Sequence, residues 1–389
     1  MNDIYTGVGT VRGEAAQENG GRKAPEILCI GQAVVDCITK NVRERTDGTG
    51  RSVAESITLS VGGDAVNEAS ALVGMGHSVG IMCCVGDDHA GRVILQEAGK
   101  RGIDTSCVTV QPDLSTPVAN MFVREDGSRS SISSRATLLP GYVPDLEEAL
   151  RRFANGGAGP AAGGSQTVGS GQEGSGAGQT ADSRQEARGV GPSSPLKVVS
   201  FASLFRAPLD DPAVIRRLVR AAHESGAIVC ADTKLPTFRR TELSEIADVL
   251  PLIDYFFPNE EEAAYYTDME EPREAITELL SMGIQGVVVK CGAKGICAGL
   301  GHENPAVGCG ESFCATCLAS DCSIRAGEKI RGGEMFSLPA IPVDAVDTTG
   351  AGDHFAAGFI HGLLRNMDFR QCCGMGLAAA ARRIVRTGG

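Results

Sequence analysis

A glycine-rich turn that ends in an aspartate is the strongest chemical feature of this 389-residue chain. The stretch reads DTTGAGDHFAAGF, and its carboxylate Asp353 stands where the apolar spacing of a helix begins. Small residues let a backbone approach a ligand closely, and helix N-termini attract anions. A carboxylate there can take a proton from a hydroxyl while the amides of Gly350, Ala351 and Gly352 stabilise a phosphoryl group. The stretch by itself predicts an aspartate N-cap equally well.

Short apolar strands alternate with helical patterns along most of the chain and must position this turn. Segments such as EILCIGQAVVDCI and QGVVVKCG are separated by patterns such as AVIRRLVRAAHESG. This alternation predicts an α/β domain whose mostly parallel sheet is covered by helices on both faces. Residues 118–133 alternate around an EDG turn and predict a β-hairpin.

Composition excludes several classes of partner. The net charge of −12 and an aromatic content of 4% argue against nucleic acid and against an anionic membrane. No run of about 18 apolar residues is present, so nothing in the sequence predicts a membrane span. The polar first residues lack the apolar segment of a signal peptide, so we expect a cytoplasmic protein whose 14 cysteines are reduced.

Three segments fall outside the α/β pattern. Residues 1–24 are predicted to be a disordered leader, and residues 25–389 to be one domain. Residues 155–195 are rich in Gly, Ser and Gln and predict a flexible surface insertion. Residues 301–333 form a second insertion, which carries Cys309, Cys314, Cys317 and Cys322. Because structural zinc sites usually show two close pairs, an exposed thiol-rich loop is favoured over a metal site.

Two motifs occurring together identify a family. The combination of DTTGAGD with GGDAVNEA resembles the ribokinase-like (PfkB-type) carbohydrate kinases, from about residue 25 to the end apart from the insertions. The resemblance implies a ribokinase-like three-layer α/β/α sandwich with a mostly parallel central sheet and a small β-sheet lid. Lid segments are expected near 36–62 and 107–135. No Walker A sequence is present, so phosphates are expected to be bound by other means.

The resemblance assigns the reacting groups and the sugar-binding positions. Asp353 matches the general base of the family, and the amides of residues 350–352 match its anion hole. Asp36, in GQAVVDC, matches a sugar-binding position, as do three residues of VGGDAVNEA: Gly63, Asp64 and Asn67. The segment around Arg135 replaces the stretch that distinguishes sugars in relatives, and its arginines are either anion-binding or solvated lid charges.

The resemblance also assigns residues around a nucleotide. Lys290, Gly292 and Gly295 in VVVKCGAKG match a strand and glycine loop near the phosphates and ribose. Asp232, in CADTK, matches a position near the phosphates, at a strand end where ligands of such sheets bind. Thr348 is expected to support the glycine-rich turn beside the nucleotide.

One further motif concerns magnesium. FPNEEEA resembles the family's N-x-x-E element, and Asn259 and Glu262 are expected to hold Mg²⁺ through water. An asparagine N-cap followed by an acidic first turn explains the same residues equally well.

We therefore predict an ATP-dependent phosphotransferase that phosphorylates a hydroxymethyl group of a small sugar or sugar derivative. ATP and Mg²⁺ are the implied cofactors, and a monovalent cation is left open. The alternative is a nucleoside kinase of the same fold, with Met121 and Phe122 as apolar walls of a base pocket. A non-catalytic sugar-binding regulator is a weaker alternative. Because lids of this family often supply a dimer contact, we expect a homodimer formed through the lid.

Overall fold

The computed structural model describes eight stretches of the chain. The Gly/Ser-rich insertion and Arg135 lie outside these stretches, as do residues 1–23 of the leader and residues 302–333 of the Cys-rich insertion. The described residues are 24–44, 52–125, 128–133, 144–154, 196–237, 239–301, 334–344 and 348–385.

Sixteen strands and eight helices are formed in the described residues. The strands are β1 (Ile27–Ile30), β2 (Val34–Lys40), β3 (Arg43–Glu44), β4 (Ser52–Val53), β5 (Ser56–Gly62), β6 (Val79–Met82), β7 (Cys84–Gly86), β8 (Thr109–Gln111), β9 (Val118–Val123), β10 (Arg129–Ser133), β11 (Val198–Leu204), β12 (Ile228–Thr233), β13 (Tyr255–Phe257), β14 (Gly286–Lys290), β15 (Ile296–Leu300) and β16 (Glu334–Leu338). The helices are α1 (Asp64–Gly74), α2 (His89–Lys100), α3 (Leu146–Ala154), α4 (Pro212–Glu224), α5 (Glu260–Thr267), α6 (Pro272–Ser281), α7 (Ala351–Leu364) and α8 (Phe369–Ile384).

The central sheet has eight strands in the order β16-β15-β14-β13-β12-β11-β1-β6. Strands β6 to β14 of this order pair in parallel, and only β15 and β16 add antiparallel ladders at one edge. Every residue of β1 and of β11 is buried, as expected for parallel strands covered on both faces.

Helices cover both faces of this sheet, and each face has its own core. One core joins α3, α4, α5 and α6 to side chains such as Val199, Phe201 and Phe256. The other joins α1, α2, α7 and α8 to side chains such as Ile27, Val198 and Phe257. Because Val198 and Val199 are neighbours that point to opposite faces, the strand period of two supplies both cores. The predicted three-layer α/β/α sandwich is confirmed.

A second, smaller sheet has the order β10-β9-β2-β5. Strand β2 pairs antiparallel with β5 and parallel with β9, and β9 forms the predicted hairpin with β10. Strand β8 lies within the expected lid segment 107–135, but it pairs with β7 in a separate two-stranded ladder. We call the four-stranded unit the small sheet.

None of the helices in the described ranges is both long and apolar enough to cross a membrane.

Candidate active site

One cavity of about 740 Å³ lies where the parallel strands end, between the central sheet and the small sheet. It brings together predicted residues that are up to about 300 positions apart in the sequence. The predicted residues that line it are Asp36, Gly63, Asp64, Asn67, Asn259, Glu262, Lys290, Gly292, Gly295, Thr348, Gly350, Ala351, Gly352 and Asp353. Asp232 lies behind the wall of the cavity, and Arg135 is outside the described residues.

Asp353 lies in the first turn of α7 and is only 4% exposed. Its Oδ2 accepts a hydrogen bond of 2.9 Å from Nδ2 of Asn67, which belongs to α1. Its Oδ1 lies 3.4 Å from the ammonium of Lys234. The two sequence motifs that carry the family resemblance therefore meet through a side-chain hydrogen bond at this carboxylate.

The backbone amides at the start of α7 differ in whether they already donate a hydrogen bond within the protein. Gly350 has φ +74°, a left-handed conformation that favours glycine, and its carbonyl accepts the hydrogen bond of the His354 amide. The amide of Ala351 donates to the carbonyl of Thr348 at 3.2 Å. In the described part of the chain, the amides of Gly352 and Asp353 have no backbone acceptor, as is usual in a first helical turn.

Gly62 and Gly63 leave space that a side chain would fill, beside the side chains of Asp36 and Asn67 and beside the backbone of Gln32. A Cβ at Gly62 would lie 2.6 Å from Oδ2 of Asp36 and 3.6 Å from Oδ1 of Asn67. Gly63 has φ +93°, and a Cβ there would lie 2.5 Å from the carbonyl oxygen of Gln32. Burial raises the pKa of Asp36 to about 6, because the carboxylate loses hydration in the cavity.

Lys234 is a central residue of the cavity that the sequence analysis missed. Its ammonium lies 3.4 Å from Asp353, and 3.6 Å from both Asp64 and Asp232. Burial lowers the pKa of Lys234, but the surrounding carboxylates outweigh this effect and hold the pKa above its usual range. The side chain is therefore a cation that bridges three acidic groups.

The carboxylate of Asp232 acts from behind the cavity wall. Asp232 is buried at the end of β12 and contacts Nζ of Lys290 at 2.6 Å in addition to Lys234. Both lysines line the cavity, whereas Asp232 does not. Asp232 therefore orients two cations rather than facing a ligand itself.

The sequence signal that could have identified Lys234 was its position two residues after Asp232, directly after the end of a strand.

Asn259 and Glu262 form a capping box at the start of α5. The Asn259 side chain accepts from the Glu262 amide at 2.8 Å, and Glu262 Oε2 accepts from the Asn259 amide at 2.9 Å. Glu262 Oε2 also accepts from Thr233 Oγ1 at 3.0 Å, and Glu262 is buried. The N-cap explanation of these residues is thus observed.

The same residues fit an indirect magnesium site better than a direct one. Oε1 of Glu262 has no recorded hydrogen bond in the described chain, and Oε2 and the Asn259 oxygen are already used as acceptors. Burial raises the pKa of Glu262, while Lys290 opposes the shift. Among the described residues, no group of three or more His, Cys, Asp or Glu side chains is arranged to hold a metal ion. A few oxygens and several waters are the usual magnesium environment.

The loop between β14 and β15 forms the other end of the cavity. Gly292 and Gly295 have φ values of +56° and +97°, and the Cys291 amide donates to the Gly295 carbonyl at 2.8 Å. Leu377 and Ala380 of α8 line the same cavity. This tight turn with apolar side chains nearby suits a flat heterocycle with attached phosphates.

Arg206, Gln32 and Thr237 are further lining residues that the sequence analysis did not identify. Each follows a parallel strand, respectively β11, β1 and β12. The general rule that ligands bind at the carboxyl ends of such strands was the signal that pointed to them.

The fold and the cavity together define a class of protein. The fold is an α/β sandwich, and its cavity contains a carboxylate at a helix N-terminus, two lysines and a glycine loop. Amides at a helix N-terminus beside lysines are typical of enzymes that bind anionic groups.

The sequence comparison places the chain within that class. The model of the pfkB family carbohydrate kinases matches residues 24–158, 189–309 and 318–389, so the chain belongs to this family. The match leaves out residues 159–188 and 310–317, which lie within the two predicted insertions.

The sequence identity to individual relatives is below 30% in the following cases. A ribokinase of Haemophilus influenzae is 23% identical over 339 residues, which cover 86% of this chain and 84% of that protein. A cytidine kinase of Thermococcus kodakarensis is 28% identical over 156 residues, 39% of this chain and 46% of the kinase. The chain thus matches about half the length of that relative. The solved structure of Arabidopsis thaliana ribokinase complexed with ribose and ATP has a TM-score of 0.62, at 20% identity and 94% coverage of each chain. This likeness confirms the ribokinase-like fold.

Proposed function

We propose that this protein transfers the γ-phosphoryl group of ATP to a hydroxymethyl group of a small sugar or sugar derivative. The observation that carries the proposal is the 2.9 Å hydrogen bond between Asn67 and Asp353. It joins an acceptor-binding motif to a helix N-terminus in a cavity that also holds Lys290 and the β14–β15 loop. A proton acceptor beside anion-binding groups is what phosphoryl transfer to an alcohol requires.

Asp353 acts as the general base in this proposal. Its carboxylate accepts the proton of the acceptor hydroxyl while the oxygen forms a bond to the γ-phosphorus. The bond from that phosphorus to the bridging oxygen breaks, and ADP leaves with the electron pair. The amides of Gly350, Gly352 and Asp353 stabilise the negative charge on the transferred group, whereas the Ala351 amide is already used by the Thr348 carbonyl.

The remaining polar residues bind and orient the two substrates. The Asp36 carboxylate and the side-chain oxygen of Asn67 accept hydrogen bonds from acceptor hydroxyls, and Lys290 faces the phosphates. Glu262 and Asn259 are the residues that would hold Mg²⁺ through water. The ion, when bound, neutralises charge on the phosphates.

The small sheet serves as a lid over the acceptor in this proposal. Its residues Val34, Asp36, Met121, Ser131 and Ser133 line the cavity. Covering the acceptor excludes water, which otherwise competes for the phosphoryl group.

The direct test is substrate-dependent ADP release from a panel of neutral sugars, sugar acids, sugar phosphates and nucleosides, each with ATP and Mg²⁺. We expect at least one sugar or sugar derivative to raise ADP release well above the rate without acceptor. ADP release that no acceptor stimulates would contradict the proposed function.

A nucleoside kinase of the same fold is the second candidate. Met121 lines the cavity and can contact a base, and a cytidine kinase is among the relatives. Phe122, the other predicted wall residue, lies on the opposite face of β9 because neighbouring strand residues alternate, and it does not line the cavity. The nucleosides in the panel distinguish the two candidates.

We also propose that a second copy of the chain covers the outer face of the small sheet. Ile57, Leu59 and Ile132 on β5 and β10 are 65%, 69% and 65% exposed. Leu59 is opposite Cys37, and Cys37 and Ile132 are both opposite Asn120, so Leu59 and Ile132 share the face that points away from the cavity. An identical patch on a second copy is the partner that a two-fold dimer supplies.

The double substitution Leu59→Glu with Ile132→Glu is expected to convert a dimer to a monomer in light scattering after size exclusion, because charges replace apolar contact area. Ile341→Glu changes an exposed apolar residue outside the sheet and should leave the mass unchanged. A wild-type protein that is monomeric at micromolar concentration would contradict the proposal.

A further inference from the structure

Arg206 is held in the cavity by its backbone setting and by one hydrogen bond. It lies two residues after the end of β11, next to Phe205, which is fully buried and has φ +72°. A left-handed conformation is unusual for a bulky residue and persists only where the surroundings fix it. Nε of Arg206 donates to the Leu235 carbonyl at 3.2 Å. Within the described part of the chain, this hydrogen bond positions the guanidinium and no acidic partner does.

The positive charges of the cavity differ in how they are balanced. Lys290 is paired with Asp232 at 2.6 Å, and Lys234 lies among three carboxylates. Arg206 has no carboxylate within ion-pair distance in the residues that the structure describes. Its two terminal nitrogens make no hydrogen bond within the described residues, and Arg206 lines the cavity. Its charge and these donors therefore remain for a ligand, and a guanidinium of this kind binds carboxylates and phosphates.

The sheet order places this charge at the acceptor end of the cavity. Strand β11 neighbours β1, whose following segment leads through Gln32 to Asp36. Lys290 ends β14, which is three strands from β11, or about 14 Å at the usual strand spacing. Burial raises the pKa of Asp64 to about 6, and Arg206 is one of two cations, with Lys234, that oppose this rise, as a nearby cation does.

An acidic group near Arg206 is already balanced by another cation, so it does not neutralise the charge of Arg206. The carboxylate of Asp64 is matched by Lys234 at 3.6 Å. On the other side of Arg206, the Ala207 carbonyl accepts from the Gln32 side chain at 3.0 Å, which fixes the adjoining wall. A substituent that reaches Arg206 therefore meets a fixed guanidinium rather than a mobile surface side chain.

We propose that Arg206 binds an anionic substituent of the acceptor, so that the preferred substrate is a sugar carrying a carboxylate or a phosphate. The inference rests on the proposed kinase function and specifies its substrate class. The reacting hydroxyl lies at Asp353 and the anionic group at the opposite end of the acceptor.

The test compares anionic acceptors with neutral analogues of the same chain length by kcat/KM in ADP release. Three arms are used: sugar acids, sugar phosphates and neutral sugars or alditols. We expect the wild type to prefer one anionic arm by about 10- to 100-fold, as a charge-assisted bidentate contact provides. Which arm is preferred distinguishes a carboxylate from a phosphate.

Arg206→Gln should reduce that preference ratio to about one. Calorimetric binding of the anionic acceptor without ATP should weaken by a similar factor, a readout that needs no turnover. Arg239→Gln, at an exposed arginine outside the cavity that pairs with Asp211 and Glu245, is the matched control and should retain the ratio.

Three results would overturn the inference. The first is a wild type that prefers neutral sugars. The second is an unchanged preference ratio in Arg206→Gln. The third is a loss expressed only in the KM for ATP, which would assign Arg206 to the donor. In each of these cases ADP release still occurs, so the kinase function stands; absence of ADP release with every acceptor would contradict that function itself.

Discussion

The two oxygens of the Asp353 carboxylate have different neighbours, so a hydroxyl that binds there would meet a different partner at each oxygen. Oδ2 is hydrogen-bonded to Asn67, and Oδ1 is 3.4 Å from Lys234. An acceptor hydroxyl that reaches Oδ1 must share that oxygen with the ammonium. The same ammonium also contacts Asp64 and Asp232. Because Asp232 pairs with Lys290, Lys234 connects Asp353 and Asp64 to the part of the cavity that contains Lys290. We infer that Lys234 positions the base and its neighbouring carboxylates.

Lys234→Met tests this residue-scale account. Three carboxylates then lose their shared cation, and we expect kcat/KM to fall by about 10²- to 10³-fold. The acid limb of the kcat/KM profile should also move to higher pH. Lys234 lowers the pKa of Asp64, which burial raises to about 6, so removing the lysine makes that carboxylate protonate more readily. The measurement is the pH dependence of ADP release.

Lys100→Met is the matched control, because Lys100 is an exposed lysine that pairs with Glu97 on α2, outside the cavity. It should leave the profile unchanged. A Lys234→Met variant with the wild-type rate and pH profile would remove the lysine from the account.

Among the elements, the β14–β15 loop combines two glycines with different constraints. Gly292 and Gly295 both have positive φ, so any other residue is strained there. Around Gly292 a Cβ would meet nothing within 4 Å, whereas at Gly295 it would overlap the Leu338 carbonyl at the end of β16. A side chain at position 292 therefore meets backbone strain alone, whereas one at position 295 also overlaps Leu338.

Gly292→Ala and Gly295→Ala form a matched pair for this element. We expect Gly292→Ala to lower the free energy of unfolding by about 1 kcal/mol from backbone strain alone. Gly295→Ala should lower it at least twice as much and also raise the KM for ATP, because the loop must move. Urea unfolding and steady-state kinetics measure both effects. Equal losses in the two variants would show that the contact with Leu338 is unimportant.

Much of the element level was accessible from the sequence. The alternation of strands and helices predicted the sandwich, and the EDG turn predicted the β9–β10 hairpin, because both follow from local periodicity and turn chemistry. Lys234 and Arg206 were missed because a lysine or arginine after a strand is common, and only the order of strands in the sheet shows which of them meet. Pairing of β8 with β7 rather than the small sheet likewise depends on long-range register.

The stability of the whole molecule is expected to depend on pH through an acid that is buried between α1 and the central sheet. Glu68 is fully buried, and its Oε1 accepts a weak hydrogen bond from Cys29 at 3.4 Å. Its Oε2 has no partner among the described residues. Burial raises the pKa of Glu68 from 4.5 to about 8, so the carboxyl is mostly neutral at pH 7. The fold therefore keeps a proton that the unfolded chain releases.

This retained proton predicts how stability depends on pH. The folded pKa is raised, so the stabilising effect of protonation is fully present below about 4.5 and is lost as pH rises towards 8. Relative to Glu68→Gln, the wild type should lose up to about 1.4 kcal/mol per pH unit in this interval and no more above it. Urea unfolding at several pH values measures the difference.

Glu270→Gln, at an exposed glutamate, is the control and should not change the pH slope. If Glu68→Gln followed the wild-type slope between pH 5 and 8, the carboxyl would be ionised in the folded protein, contrary to its burial.

The central claim is that Asp353 removes the proton of the acceptor hydroxyl, and Asp353→Asn tests it most directly. The amide keeps the size and hydrogen-bonding ability of the side chain but is not a base. Asp87→Asn, at an exposed residue, serves as the control. We predict that kcat for acceptor-dependent ADP release falls by at least about 10³-fold in Asp353→Asn, while calorimetric affinity for the acceptor stays within about threefold of the wild type. Turnover close to that of the wild type, with the same acceptor affinity, would contradict the claim.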